Sequence, residues 1–176
     1  MGDNKRKIKL IVAMDENCII GDKNELPWKG NSEYQWDMDN FKMETINKSV
    51  IMGYNTFLSL NSKCLKNRIN YLISSKHTPE GIRTFKSLYD FMNYWKIRED
   101  SNDLYVIGGA QIYKTFLEND LIDEIVMTIF NESFEGDTKF PMDFIPGRFK
   151  CSSTVSQYNH DGSVSGRILT YTRKRN

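Results

Sequence analysis

Carboxylates are the best candidates for catalytic groups in this sequence, because other reactive side chains are scarce. The two histidines, His77 and His160, fall in predicted turns, where solvated side chains are expected. No serine lies in a nucleophile-elbow pattern, and no Walker motif is present. Asp37 precedes Phe41 by one turn of a predicted helix, so the carboxylate and the ring share a face. With 23 acidic residues in the chain, this spacing alone does not distinguish Asp37 from a solvated acid.

Three predicted strands end on features that suit a ligand. They end at Met14, at Gly53 and just before Gly108-Gly109. In an open parallel sheet, ligands bind outside the carboxyl ends of the strands. The Gly108-Gly109 pair also opens a predicted helix, whose backbone N–H groups and dipole suit a phosphate. Gly-Gly pairs are common in ordinary turns, so a purely structural role stays open for this pair.

Apolar runs and helical stripes alternate along the chain and predict the elements that position these residues. Strands are predicted over residues 8–14, 49–53, 70–73, 103–107 and 122–130, helices over 34–46, 86–97 and 110–117, a loop over 15–30, and a C-terminal hairpin over 149–157 and 165–172. Leu88, Phe91, Met92 and Trp95 form a stripe expected to face the core. The alternation predicts one α/β domain, residues 1–176, with a largely parallel sheet and an antiparallel edge.

Composition excludes several classes of function. The 176 residues include 24 basic and 23 acidic side chains, so the net charge of +1 gives no case for nucleic acid as a partner. Apolar runs are too short to span a membrane. Three widely spaced cysteines predict neither a disulfide framework nor a metal site, and a reducing cytoplasm is the expected compartment. Alanine occurs only twice, as Ala13 and Ala110.

Short segments in a fixed order are more specific than any of these features alone. They are residues 11–15 (IVAMD), 19–21 (IIG), 24–28 (NELPW), 50–53 (VIMG), 106–110 (VIGGA) and 135–138 (EGDT), with Asp37, Arg68 and Thr128 between them. In order and spacing they resemble the dihydrofolate reductase family, from about Ile8 to the C-terminal strands. The resemblance implies a central, mostly parallel, twisted sheet of about eight strands, with a C-terminal antiparallel hairpin and helices on both faces.

The resemblance also implies an activity. This is hydride transfer from NADPH to 7,8-dihydrofolate, giving 5,6,7,8-tetrahydrofolate for one-carbon and thymidylate metabolism. The expected partners are these two small molecules, with no nucleic acid and no membrane. No hydrophobic stripe in the sequence requires burial against a partner chain, so we expect a monomer.

For the reacting end of the substrate, the resemblance implies four residues that act on or beside the pterin. Asp37 is the acid in register with the family's catalytic carboxylate, and Asp39, two residues further along the helix, would face elsewhere. Glu33 is the other rival. Thr128 matches the residue that hydrogen-bonds the carboxylate. Trp28 matches the residue that holds an ordered water, and Leu26 the mobile-loop residue beside the nicotinamide.

The remaining substrate contacts implied by the resemblance are mostly apolar walls. They are Ile11, Val12, Ala13, Phe41, Leu60, Leu65, Ile107 and Tyr113, together with Asp37 and Thr128. Arg68 matches the arginine that binds the α-carboxylate of the glutamate tail, a bidentate pairing that lysine makes less well. Each of these residues has an alternative role as ordinary core or surface.

The resemblance assigns a longer series of residues to the dinucleotide. They are Ala13, Ile20, Asn24, Gly53, Tyr54, Asn55, Thr56, Ile73, Ser74, Ser75, Lys76, Gly108, Gly109, Ala110, Gln111, Ile112, Tyr113, Thr115 and Thr138. A cis peptide between Gly108 and Gly109 is typical of the family, and Thr138 is expected to close a loop over the ligands.

Three departures from the family pattern matter. Tyr54 and Asn55 stand where the family usually has basic residues that bind the 2′-phosphate of NADPH. Lys76 is expected to supply that positive charge instead. Tyr54 is expected to stack on adenine. The stretch 28–37 is about four residues longer than in typical bacterial members and lacks the usual proline. Lys66-Asn67 replaces the usual Pro-Gly.

Two other hypotheses stay open. A related pterin or pyrimidine reductase would share the scaffold, but it does not call for Trp28, Asp37 and Arg68 together. A non-catalytic module on the same fold would have no need of Asp37, Thr128 and Arg68.

Overall fold

Strands and helices follow one another in the predicted alternation. The computed structural model describes residues 5–175. The elements are β1 (Ile8–Met14), β2 (Ile19–Gly21), α1 (Gln35–Thr45), β3 (Ser49–Gly53), α2 (Tyr54–Ser59), β4 (Ile69–Ile73), β5 (Arg83–Phe85), α3 (Leu88–Ile97), β6 (Leu104–Gly108), α4 (Ala110–Glu118), β7 (Glu124–Phe130), β8 (Thr138–Lys139), β9 (Phe149–Tyr158) and β10 (Val164–Arg173). Residues 1–4 and 176, which the predicted domain includes, lie outside the described part.

Eight of the strands form one sheet in the order β5-β4-β3-β6-β1-β7-β10-β9. The first six strands in this order run parallel to one another, whereas β10 runs antiparallel to both β7 and β9. This confirms the predicted eight-stranded, mostly parallel sheet with an antiparallel C-terminal hairpin. A separate two-stranded sheet joins β2 to β8.

The central strands are nearly continuous apolar runs in the sequence because their side chains are buried on both faces of the sheet. In β1, Leu10 and Val12 pack into one core with α3 and α4, while Ile11 points into a second core with Phe57 of α2. Helices therefore cover both faces, as predicted. The α3 stripe also behaves as predicted: Phe91 is fully buried in the first core.

The sequence prediction was wrong where elements are short. The predicted loop 15–30 contains β2, and the predicted helix 34–46 begins as a 3₁₀ turn, Ser32–Tyr34, before α1. α2, β5 and β8 were not predicted at all. These elements have two to six residues, too few for a clear period. Among residues 5–175, no helix is long and apolar enough to cross a membrane.

Candidate functional site

The carboxyl ends of β1, β3, β4 and β6 open onto one cleft of about 700 Å³, a volume suited to a small ligand or cofactor. Most of the predicted site residues line it. They are Ile11, Val12, Ala13, Ile20, Asn24, Leu26, Asp37, Phe41, Gly53, Tyr54, Asn55, Thr56, Leu60, Leu65, Ile73, Ser74, Ser75, Lys76, Ile107, Gly108, Gly109, Ala110, Gln111, Ile112, Tyr113, Thr115 and Thr138.

Asp37 is the buried acid of the cleft. It lies in the first turn of α1, and its residue is 7% exposed, whereas the rival acids Glu33 and Asp39 are exposed. Phe41, one turn further on, lines the same cleft, so Asp37 and Phe41 lie on one face of α1, as predicted. Burial raises the pKa of Asp37 from its ordinary value of 3.8 to about 6, and hydrogen bonding with the side chain of Thr128 partly offsets this rise.

Thr128 and Trp28 lie behind the cleft rather than in its lining. Thr128 is buried in β7, where it pairs in register with Ala13 of β1. Trp28 packs on Phe130 with ring centroids 4.6 Å apart, in a cluster that also includes Tyr34. The indole Nε1–H of Trp28 is buried, and it has no hydrogen-bond acceptor among residues 5–175. A buried donor of this kind requires a polar partner.

Arg68 also lies outside the lining, at the rim of the cleft near Phe41. Its Nε donates to the Thr45 hydroxyl at 3.1 Å, and one terminal nitrogen donates to the Lys66 carbonyl at 2.9 Å. Its guanidinium carbon is 6.0 Å from the centroid of the Phe41 ring, which lines the cleft. The residue is partly exposed, so part of its donor fork remains available to an anion.

Backbone amides dominate the part of the cleft between β6 and α4. The Gly108–Gly109 peptide is cis, as expected from the resemblance, and Gly108 has a φ of +119°. A Cβ on Gly108 would lie 3.1 Å from the hydroxyl of Tyr113, which is itself 2.8 Å from the Ile11 carbonyl oxygen. The N-cap of α4, Gly109, makes no side-chain cap, so the first amides of this helix are free for an anion.

A third region of the cleft follows strands β3, β4 and β5. Ser74 lies just after β4, and its backbone N–H donates to the Phe85 carbonyl at 2.9 Å, which ties the ends of β4 and β5 together. Tyr54, the first residue of α2, stacks on His77, with ring centroids 4.0 Å apart and an angle of 13° between the planes. One face of Tyr54 is therefore covered by an imidazole.

The loop between β1 and α1 is tied to the segment before β8. The carboxylate of Asp137 accepts a hydrogen bond from the backbone N–H of Lys23 at 3.1 Å. The backbone N–H of Asp137 donates to the carbonyl oxygen of Gly21 at 3.0 Å. A side chain at Gly136 would overlap Ile19, so the two segments approach closely. Thr138, in β8, lines the cleft beside this contact.

Six lining residues were missed by the sequence analysis. They are Gly21, Glu25, Met38, Ser59, His77 and Lys86. Met38 precedes Phe41 by three residues on α1, so the helical period could have placed the two side chains on one face. His77 was assigned to a solvated turn; it is exposed, but it also lines the cleft. Within the described chain, no cluster of His, Cys, Asp or Glu could hold a metal ion.

The fold and the cleft are those of an α/β protein that binds a small ligand or cofactor at the carboxyl ends of its parallel strands. A family model described as dihydrofolate reductase matches residues 7–173. The chain is 37% identical over 170 residues to dihydrofolate reductase of Bacillus subtilis (strain 168), with 95% of each chain covered. It is 33% identical over 155 residues to that of Lactococcus lactis subsp. lactis (strain IL1403), with 86% of each covered.

A solved structure agrees with these sequence relatives. Dihydrofolate reductase from Enterococcus faecalis, complexed with NADP(H) and RAB-propyl, superposes with a TM-score of 0.80 at 26% identity. The match covers 96% of this chain and 97% of that one. The chain belongs to the dihydrofolate reductase family.

Proposed function

We propose that this protein reduces 7,8-dihydrofolate to 5,6,7,8-tetrahydrofolate with NADPH, and so supplies tetrahydrofolate for one-carbon and thymidylate metabolism. The observation that carries the proposal is the buried carboxylate of Asp37, which shares one cleft with the uncapped N-terminus of α4. The carboxylate suits a cationic or amidine-like heterocycle, and the helix N-terminus suits a phosphate. Membership of the dihydrofolate reductase family supports the pairing.

Asp37 is the proposed catalytic residue. A pterin presents a 2-amino group beside a ring N–H, and a carboxylate accepts both through two parallel hydrogen bonds. The ionised form also stabilises positive charge on the ring, which favours protonation of the ring nitrogen from water. Asp37 therefore anchors the substrate without having to transfer its own proton.

Thr128, Trp28 and Leu26 are proposed to complete this region. The side chain of Thr128 lowers the pKa of Asp37, which suits a hydroxyl that donates to the carboxylate in the complex. The unpaired indole N–H of Trp28 is suited to binding a water molecule that links the protein to the substrate. Leu26 is 41% exposed in the loop beside the cleft, where it can close over the reacting rings and exclude water.

The substrate walls are proposed to be those expected from the resemblance. Phe41 packs against the pterin and the aminobenzoyl group, with the half-buried Leu60, Leu65 and Ile107 as further apolar walls. Arg68 binds the α-carboxylate of the glutamate tail at the rim. Ala13 lies in the cleft lining with a methyl group as its whole side chain, which leaves room for two ligands to meet there.

The geometry of the proposed cofactor residues supports a dinucleotide as their ligand. When bound, NADPH supplies the hydride. The free amides at the start of α4 suit the pyrophosphate, and Gly108 and Gly53 keep this region open because a Cβ at either would press on Tyr113 or Ile112. Ser74, Ser75 and Lys76 line the part of the cleft that suits the adenosine end.

We further propose that the whole chain forms one domain that acts as a cytoplasmic monomer. The match to one family model extends from residue 7 to residue 173, which supports one domain. The three cysteines Cys18, Cys64 and Cys151 are free thiols, which suits a reducing compartment.

The test is NADPH consumption followed by absorbance, with and without dihydrofolate. We expect consumption that depends on dihydrofolate, and its absence would overturn the proposed function. The same assay with NADH measures cofactor choice. Because Tyr54 and Asn55 replace basic residues, we expect a modest preference for NADPH in kcat/KM, and equal values would reject that preference.

A further inference from the structure

The positive charge of the cleft lies at one end of it. The lysines in the lining are Lys76 and Lys86, with His77 beside Lys76 in the chain, whereas the acids are Asp37 and Glu25. Lys76 and His77 follow β4, and Lys86 follows β5, at one edge of the sheet. Asp37 belongs to the other end, beside Thr128 of β7. The cleft is therefore polarised, with an anion-binding end over the β3-β4-β5 edge.

His77 is held in place at this end although its loop is exposed. Its ring stacks on Tyr54, with centroids 4.0 Å apart and planes 13° apart. Its backbone N–H donates to the Ser74 hydroxyl at 3.1 Å, which fixes the turn after β4. Within residues 5–175, neither ring nitrogen of His77 has a hydrogen-bond partner, so an N–H donor remains available to a ligand.

We propose that His77, oriented by its stack on Tyr54, is a specificity-determining residue that binds the 2′-phosphate of NADPH. The inference rests on the proposed function, because it takes NADPH as the occupant of the cleft. The 2′-phosphate is what distinguishes NADPH from NADH, and it is a dianion or close to one at neutral pH. An imidazole N–H held by this stack, in the same cleft lining as Lys76 and Lys86, supplies a donor to the phosphate at a place where Tyr54 and Asn55 carry no charge.

The stack gives Tyr54 a role in addition to the one expected from the resemblance. His77 covers one face of the Tyr54 ring, which leaves the other face for the expected stack on adenine. The Tyr54 ring keeps the plane of the imidazole parallel to its own, which lowers the entropy lost when the phosphate binds. Tyr54 is thus a positioning residue for His77.

Binding of each cofactor, measured without substrate by quenching of tryptophan fluorescence, tests this inference. His77→Phe keeps a ring on Tyr54 but removes the donor, so we expect the Kd for NADPH to rise about fivefold while that for NADH changes less than twofold. His77→Arg places a guanidinium donor at the same position and should retain the preference for NADPH. His160→Phe, in the exposed β9–β10 turn, is the matched control and should change neither constant.

The outcomes separate this inference from the proposed function. If His77→Phe weakens both cofactors equally, the ring only packs, and the inference is wrong. If His77→Phe changes neither Kd, so that the ratio of the two constants is unchanged, the inference is contradicted as well. Dihydrofolate-dependent turnover in the same preparation tests the proposed function independently, since it requires no difference between the two cofactors.

Discussion

The side chain of Thr128, in the middle of β7, faces the carboxylate of Asp37, in the first turn of α1, and lowers the pKa of that carboxyl against the larger rise that burial causes. The two residues are far apart in the chain and meet because α1 packs on the sheet face to which Thr128 contributes. Burial disfavours the charged form of Asp37 and raises its pKa to about 6, while the threonine stabilises the charge. The chain therefore keeps a carboxylate where an apolar residue would be more stable, which is typical of a functional site.

The first prediction is that Asp37→Asn stabilises the unliganded protein at neutral pH. Because the folded-state pKa is raised, the native state binds more protons than the unfolded state between about pH 4 and 6, and stability falls as pH rises through that window. A shift from 3.8 to about 6 corresponds to about 3 kcal/mol of destabilisation once Asp37 is ionised. Asparagine carries no such charge.

Urea unfolding of both proteins checks this stability prediction. The gain from Asp37→Asn should be nearly full at about pH 8 and close to zero at about pH 4. A gain that does not depend on pH would show that the carboxyl is not the cause.

The second prediction concerns substrate affinity and pH. Below about pH 6 Asp37 becomes protonated and loses one of the two acceptors that face the pterin. The Kd for dihydrofolate should therefore rise as pH falls through this value, in the absence of NADPH. In Asp37→Asn the same titration should be flat, and an unaltered pH dependence in that variant would assign it to another group.

The third prediction separates the glutamate tail from the pterin. Arg68→Lys replaces a planar fork by a point charge, so KM for dihydrofolate should rise about tenfold. A reduced pterin substrate without the glutamate should show no such change. An equal loss on both substrates would mean that Arg68 acts through its packing on Phe41 instead.

The fourth prediction addresses the position of one of the two alanines. Ala13 is half-buried in the cleft lining, in register with Thr128. Ala13→Leu should lower kcat/KM by more than about a hundredfold because its side chain fills the space where two ligands meet, while the melting temperature changes little. Ala13→Ser is the matched control of nearly the same size, and an active leucine variant would show that the space is not needed.

Local pattern predicted the elements that carry most of the site. Ser49–Gly53 was predicted with its observed bounds, and the shared face of Asp37 and Phe41 follows from the helical period. The pairing of β2 with β8 was not predictable, because these strands have three and two residues and lie far apart in the chain. The Tyr54–His77 stack depends on β3 and β4 being neighbours in the sheet, an arrangement that no local pattern encodes. The burial of Asp37 likewise depends on its distant partner in β7.

The role of Asp37 is tested most directly by comparing Asp37→Asn with Asp39→Asn. Asp39 is an exposed acid on the same helix, and it does not line the cleft. Dihydrofolate-dependent turnover and the Kd for NADPH are measured for each variant. We predict that Asp37→Asn lowers turnover by at least about a hundredfold and changes the NADPH Kd less than twofold, while Asp39→Asn alters neither. Turnover by Asp37→Asn within a fewfold of the unmodified protein would contradict the central role assigned to this carboxylate.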